Sequence, residues 1–184
     1  RRAHERSSRS LLPIDSSAKT LAELRGKKIA IPHNYSNQRI LLFREMDKYG
    51  RKPEDLQLVV VPPPEMPSML KKGAIDAYII GEPHAAKAEM DGFGRVLYQC
   101  GDLWPGFISC GLAVRQELID QRPELVEELV RGIAASGKWL DSDKYEGAQH
   151  RQDASIVVGK VFYNQKPELL QFLLCKDVER VKYT

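Results

Sequence analysis

The order of elements along this chain predicts an α/β protein, with a mixed, largely parallel sheet flanked by helices. Three observations carry that expectation. Short apolar runs at residues 29–31, 56–61, 77–80 and 95–100 have the length of buried strands, and the first three are each followed by a stretch of helical character. Proline and glycine punctuate the joints, at Pro32, Pro62, Pro63, Pro64, Gly50, Gly73 and Gly81. Strands alternating with helices in this way favour parallel pairing through crossover connections.

Residues 1–19 form a polar, Ser/Arg-rich arm in which Leu11, Leu12 and Ile14 can anchor one short strand. Thr20 caps a single helical turn, with Glu23 at the capping-box position. Lys27 and Lys28 lead into the strand at 29–31, which Pro32 ends because it cannot donate to a ladder. His33, Asn34, Tyr35 and Ser36 then supply turn chemistry, and Ser36 or Asn37 is the expected N-cap. Ile40, Leu41, Phe43 and Met46 recur at helical spacing, and Gly50 stands where a C′ glycine belongs. The first turn of such a helix presents unpaired N–H groups and the positive end of the dipole, a place for an anion.

Pro53 breaks the chain before the β-branched strand at 56–61, and a short helix at 66–72 closes at Gly73. After the strand at 77–80, Pro83 occupies the favoured first position of a helix running through Glu89. Gly92 and Gly94 bracket a turn into the strand at 95–100, and the apolar run at 107–114 reads as a further strand. The longest helix is expected at 123–140, with Leu125, Val126, Leu129, Val130, Ile133 and Ala134 as its buried stripe. Residues 141–151 read as a polar linker or weak helix, 154–162 and 167–174 as helices, and 181–183 as a tail.

With 184 residues and 42% apolar content, the chain can form one domain or two small lobes, and no run approaches membrane-spanning length. The net charge of +3 is weak, and Arg1, Arg2, Arg6 and Arg9 crowd the first ten residues. No basic stripe interleaved with aromatics argues for a nucleic-acid partner. The chain opens at Arg1 rather than methionine and so reads as a processed or trimmed product. Cys100, Cys110 and Cys175 make no metal pattern; Cys100 and Cys110 either pair in an oxidising compartment or remain free thiols, and the free state is the simpler expectation.

In open α/β sheets ligands sit beyond the carboxyl ends of the strands. That rule gathers the loops 33–37, 62–65, 82–84 and 101–107 on one rim. Glu82 with His33 or His84 has the makings of a general base or a metal site. Against both, the chain has no H-x-x-x-H, C-x-x-C or G-x-S-x-G motif. Glu82, just before a helix start, reads better as a structural carboxylate accepting loop N–H groups. His84 reads as surface or supporting, and Trp104 is open between core and ligand platform.

Several motifs, in order, carry a resemblance. They are Leu24-Arg25-Gly26-Lys27-Lys28-Ile29-Ala30-Ile31-Pro32, Lys72-Gly73-Ala74-Ile75-Asp76-Ala77-Tyr78, Gly81-Glu82-Pro83, Gly92-Phe93-Gly94-Arg95-Val96-Leu97 and Leu103-Trp104-Pro105-Gly106. With the tail from Phe162 to Leu174, they resemble the nitrate/sulfonate/bicarbonate/taurine family of ABC-transporter solute-binding proteins across residues 20–184. The resemblance implies a type II periplasmic-binding-protein-like fold, two α/β lobes joined by a hinge and closing on a small, usually anionic solute. It implies a monomeric periplasmic or lipid-anchored receptor that passes solute to an ABC-transporter permease, with no cofactor, no metal and no chemistry of its own. The strand-end rule and the resemblance together give the candidate ligand-binding set His33, Asn34, Tyr35, Ser36, Asn37, Glu82, Pro83, His84, Trp104 and Cys110.

Two departures matter. Ser36 and Asn37 sit where the nitrate branch carries a ligand-contacting histidine–asparagine pair, and Cys110 falls near its anion-facing lysine. Both losses weaken the case for nitrate and bicarbonate and add an organic or neutral solute as an alternative, the expectation remaining a small anion of the nitrate, bicarbonate or sulfonate class. The family also begins with a βαβ half of lobe one before the Leu24 region. The expected division is therefore a 1–19 arm, a 20–106 ligand-binding lobe, and a 107–184 return strand and helical segment of a partial second lobe. The alternatives are a biosynthetic enzyme resembling thiamine-pyrimidine synthases or menaquinone enzymes, and a ligand-sensing regulatory domain.

Overall fold

Residues Ile29, Ile31, Ala77 and Ile79 pack into one buried cluster, and Ala30, Tyr78 and Ile80 into another. This is the period-two alternation of a sheet covered on both faces. The computed structural model describes residues 8–163 and 165–181, and these divide into two compact units, the 5–109 unit and the 110–184 unit. Arg1, Arg2 and Arg6 of the arm, and the tail beyond Val181, lie outside the described residues.

The 5–109 unit holds a five-stranded sheet of order β3-β2-β4-β1-β5. Its strands are β1 (Ser8–Pro13), β2 (Lys28–Ile31), β3 (Gln57–Val60), β4 (Ala77–Gly81) and β5 (Gly94–Gln99). β2 pairs parallel with β3 and β4, whereas β1 lies antiparallel between β4 and β5. The arm thus supplies a central strand, and Leu11 and Leu12 are buried on opposite faces. Helix α1 (Asn37–Lys48) covers one face through Leu41, Leu42 and Met46. Helices α2 (Met66–Lys71) and α3 (His84–Met90) cover the other through Met66, Leu70, Ala85 and Ala88. A short turn, α4 (Cys100–Leu103), follows β5 on the α1 face.

Two glycines have specific reasons. Gly50 has φ +61°, Gly50 N–H donates to Asp47 O at 2.9 Å, and Arg51 N–H donates to Met46 O at 3.0 Å, the Schellman ending of α1. At Gly94 an added Cβ would stand 2.6 Å from the Ala88 Cβ, so the β5–α3 approach needs the missing side chain. The expected box at Thr20 takes another form: a 3₁₀ turn, Leu21–Leu24, in which the Thr20 hydroxyl donates directly to Glu23 Oε1 at 2.8 Å.

The expected strand at 107–114 is not one; the segment is irregular, with Phe107 buried but Ile108 and Leu112 exposed. An apolar run becomes a strand only with a ladder partner, and among the described residues this one has none.

The 110–184 unit consists, among its described residues, of helices: α5 (Gln116–Gln121), α6 (Pro123–Asp141), α7 (Gln149–Val158) and α8 (Pro167–Cys175). Its core is Leu140, Ala148, Leu169, Leu170, Leu173, Leu174 and Val181. Arg151, wholly buried, joins three elements: it donates to Asp141 Oδ1 at 2.6 Å, Leu174 O at 3.0 Å and Val181 O at 2.8 Å. The stripe on α6 departs from expectation, for Leu129, Val130 and Ile133 are exposed. An amphipathic helix buries its apolar face only where a layer exists to receive it, and this unit has no sheet among the described residues.

Candidate functional site

The site begins with strand direction. β2, β3, β4 and β5 all end at the same edge of the sheet, and β1 starts there, with Ser8 opposite Gly81 and Arg9 opposite Gln99. The chain leaves β2 through α1 toward β3 on one side, and leaves β4 through α3 toward β5 on the other. β2 and β4 are neighbours whose helices depart to opposite faces, so the carboxyl ends of these two strands flank a topological switch point.

On the β2 side, the loop 32–36 is organised by its own hydrogen bonds. Tyr35 N–H donates to His33 Nδ1 at 3.1 Å, and the two rings lie 5.3 Å apart. Tyr35 is 87% exposed, an unusual place for a tyrosine without a partner surface. The Ser36 side chain caps α1 by accepting from Arg39 N–H at 3.3 Å, while the Arg39 guanidinium donates to Asn34 O at 3.1 Å. Among the described residues no acceptor is placed on the backbone N–H groups of Asn37 and Gln38. They are among the first N–H groups of the helix that follows β2, the ones an α-helix leaves without an internal partner.

On the β4 side, Glu82 and Pro83 are joined by a cis peptide bond, and Pro83 is buried. The Glu82 carboxylate is committed to the protein: Oε2 accepts from Ala86 N–H at 2.8 Å and Oε1 lies 3.4 Å from Arg9 Nε. Both side chains are nearly buried, at 6% and 5% exposure. A carboxylate neutralised by a buried guanidinium and capping a helix is a poor general base. His84 opens α3; its carbonyl accepts from the Tyr78 hydroxyl at 3.1 Å, and burial pulls its imidazole below the ordinary histidine value.

The structure therefore gathers His33, Asn34, Tyr35, Ser36 and Asn37 on one wall and Glu82, Pro83 and His84 on the next. It places Trp104 elsewhere. The indole packs against the α1-face core, with the Arg44 guanidinium 4.2 Å above its centroid and Phe107 edge-on at 5.9 Å. Cys110 is exposed and belongs to the other unit. All three cysteines are free, and burial raises the Cys100 thiol to about 12. Among the described residues no cluster of histidine, cysteine and carboxylate could hold a metal.

Sequence reasoning passed over Ser8, Arg9, Gln38, Ile108 and Ser109. Ser8 is buried and bonds Ser109 Oγ at 2.7 Å, and Asn37 Nδ2 donates to Ile108 O at 2.7 Å. The signal for Arg9 was weak: one of four arginines in the first ten residues, followed by a serine and two leucines, inside an arm whose composition looks solvated.

The chain is similar to several known proteins. The bicarbonate-binding protein CmpA of Synechococcus elongatus is 27% identical over 121 residues, 66% of this chain and 26% of that protein. The nitrate import ATP-binding protein NrtC of Synechocystis is 29% identical over 149 residues, 76% of this chain and 22% of that protein. Among solved structures, the periplasmic aliphatic sulphonate binding protein SsuA of Escherichia coli superposes with a TM-score of 0.74 at 19% identity, over all of this chain and 57% of SsuA. That last likeness is one of fold, a periplasmic-binding-protein-like architecture. The chain spans about a quarter of the length of the curated relatives it matches. The family profile, finally, runs from residue 5 through residue 158, across the whole sheet, its edge loops and the first helices beyond, and on that match the chain belongs to the NMT1-like family.

Proposed function

We propose that this chain is the solute-binding part of an ABC importer, taking a small anion of the nitrate, bicarbonate or sulfonate class at the carboxyl ends of β2 and β4. The observation that carries the reading is the first turn of α1, whose Asn37 and Gln38 N–H groups meet no acceptor among the described residues, at the sheet's switch point. Oriented amides at the positive end of a twelve-residue helix favour an anion without any titratable group. His33, Asn34, Tyr35 and Ser36 form the wall around it, and Glu82, Pro83 and His84 the opposite side. The engagement of Glu82 with Arg9 and Ala86 supports binding without turnover. The relatives' roles in bicarbonate, nitrate and sulphonate handling support the same solute class, and the periplasmic sulphonate-binding protein and the nitrate import ATP-binding protein support an extracytoplasmic location and a transporter as partner; in this reading the receptor is periplasmic or lipid-anchored and hands its solute to a permease. Among the described residues no helix is long and apolar enough to cross a membrane.

A thermal-shift panel of nitrate, bicarbonate, taurine, short alkanesulfonates and neutral pyrimidines tests this. A ligand at a hundred times its Kd adds about 2.7 kcal/mol, which raises Tm by roughly 5–10 °C for a chain of this size. A shift with an anion is expected. No shift with any compound, or a shift with pyrimidines alone, overturns the reading.

A further inference from the structure

Three hydrogen bonds converge on the start of α1 from parts of the chain far away in sequence. Asn37 Nδ2 donates to Ile108 O at 2.7 Å, across 71 residues. Gln38 Nε2 donates to Ser8 Oγ at 3.4 Å, and the Ser8 and Ser109 hydroxyls bond at 2.7 Å, across 101 residues. The Gln38 amide donates to the Ser8 oxygen, either serine hydroxyl can donate to the other, and the three side chains form one connected chain. Ile108 and Ser109 are the last residues of this unit before the chain passes to the other at Cys110. They belong to no strand or helix, and the bonds from Asn37 and Ser8 tie them to the rest of the unit.

We propose that the first turn of α1 is a clasp on the segment by which the chain leaves this unit, with the Asn37 side chain positioning that segment. The Asn37 side-chain amide donates to Ile108 O, while its backbone N–H remains for a ligand. One residue then serves two bonds of opposite purpose: the amide of its main chain faces the site, and the amide of its side chain fixes the exit segment. The consequence for binding rests on the proposed function above. An anion that orders the first turn also strengthens the hold on residues 107–109, and by linkage loosening that segment weakens the anion.

Hydrogen exchange and carbonyl NMR on the full chain decide the point without any ligand. In Asn37→Ala, and in Asn37→Asp, which keeps the shape and suits a helix start but cannot donate, the Phe107 amide, whose N–H donates to Trp104 O at 2.9 Å, should exchange about fivefold faster, the loss of one ordinary hydrogen bond. The Ile108 carbonyl carbon should move upfield, and Asn37→Gln, with its donor one methylene further out, should recover part of both effects. Unchanged exchange at Phe107 or an unmoved Ile108 carbonyl in Asn37→Ala overturns the clasp. Repeating the exchange with sodium nitrate, sodium bicarbonate and ethanesulfonate separates the two readings. If none binds the wild type, the importer assignment fails while the clasp still stands or falls on the unliganded result. If one binds, it should slow exchange at Phe107 in wild type and bind about fivefold more weakly to Asn37→Ala; equal affinity refutes the coupling.

Discussion

Replacing Glu82 by glutamine removes one charge and almost no volume from the edge of the sheet. The glutamine carbonyl can still accept from Ala86 N–H, so the cap on α3 survives and the charge pair with Arg9 is the term tested. Breaking a buried ion pair on one side costs about 3–5 kcal/mol, because the remaining charge is left in a poorly solvated place. Arg9 keeps a second carboxylate, Glu89, at 4.0 Å, which puts the expected loss near the lower end, about 3 kcal/mol. That is roughly a hundredfold in the folding equilibrium, or a fall of about 1.5 M in the urea midpoint for an m-value near 2 kcal/mol/M. Trp104 is the natural probe, since it packs on the core of the same unit; in a Trp139→Phe background its fluorescence reports that unit alone. A cycle with Arg9→Met should show a coupling above about 1.5 kcal/mol. A loss under about 0.5 kcal/mol for Glu82→Gln would refute the account of this edge as held by a buried pair. If Glu82→Gln instead abolished a conversion while leaving ligand affinity intact, the binding-protein reading itself would fall.

Cysteine labelling separates the thiols: with its pKa raised to about 12 by burial, Cys100 is about one part in ten thousand thiolate at pH 8, whereas Cys110 is exposed. A thiol reagent on the native protein should modify Cys110 promptly and Cys100 only on unfolding, and rapid labelling of Cys100 counts against its burial. In the 110–184 unit, Arg151→Met strips three hydrogen bonds and leaves Asp141 buried, so its urea transition followed by Trp139 should lose about 3 kcal/mol or more; a change under 1 kcal/mol would show that the network is not what joins α6, α7 and α8. Ile133→Ser on the exposed stripe of α6 should stay within about 0.5 kcal/mol of wild type, and a cost above 2 kcal/mol would mean the stripe is covered in solution. The Thr20 hydroxyl holds the Glu23 carboxyl below its ordinary value of 4.5. The stabilisation it brings is therefore present above the unfolded pKa and lost as pH falls through the lower folded one. Thr20→Val should raise the Glu23 titration seen by NMR, and an unmoved midpoint would remove Thr20 as the cause.

Local pattern alone accounts for much of the 5–109 unit. The runs at 29–31, 56–61, 77–80 and 95–100 became β2 to β5 within a residue or two, Ser36 is the cap and Gly50 the C′ residue of α1. Each depends on neighbours a few positions away, where periodicity and turn chemistry act. The parallel ordering of strands also brought loops 33–37 and 82–84 to one edge, because strand direction, once given, dictates which loops share an end. Other features needed the folded chain. Arg9 meets Glu82, Asn37 meets Ile108 and Ser8 meets Ser109 across most of the unit's length, and nothing local marks either partner. Trp104 became packing under Arg44, and the run at 107–114 stayed irregular, because burial and ladder pairing are properties of what lies opposite. The α6 stripe makes the same point: periodicity says which face of a helix is apolar, and only the presence of a facing layer decides whether that face is buried.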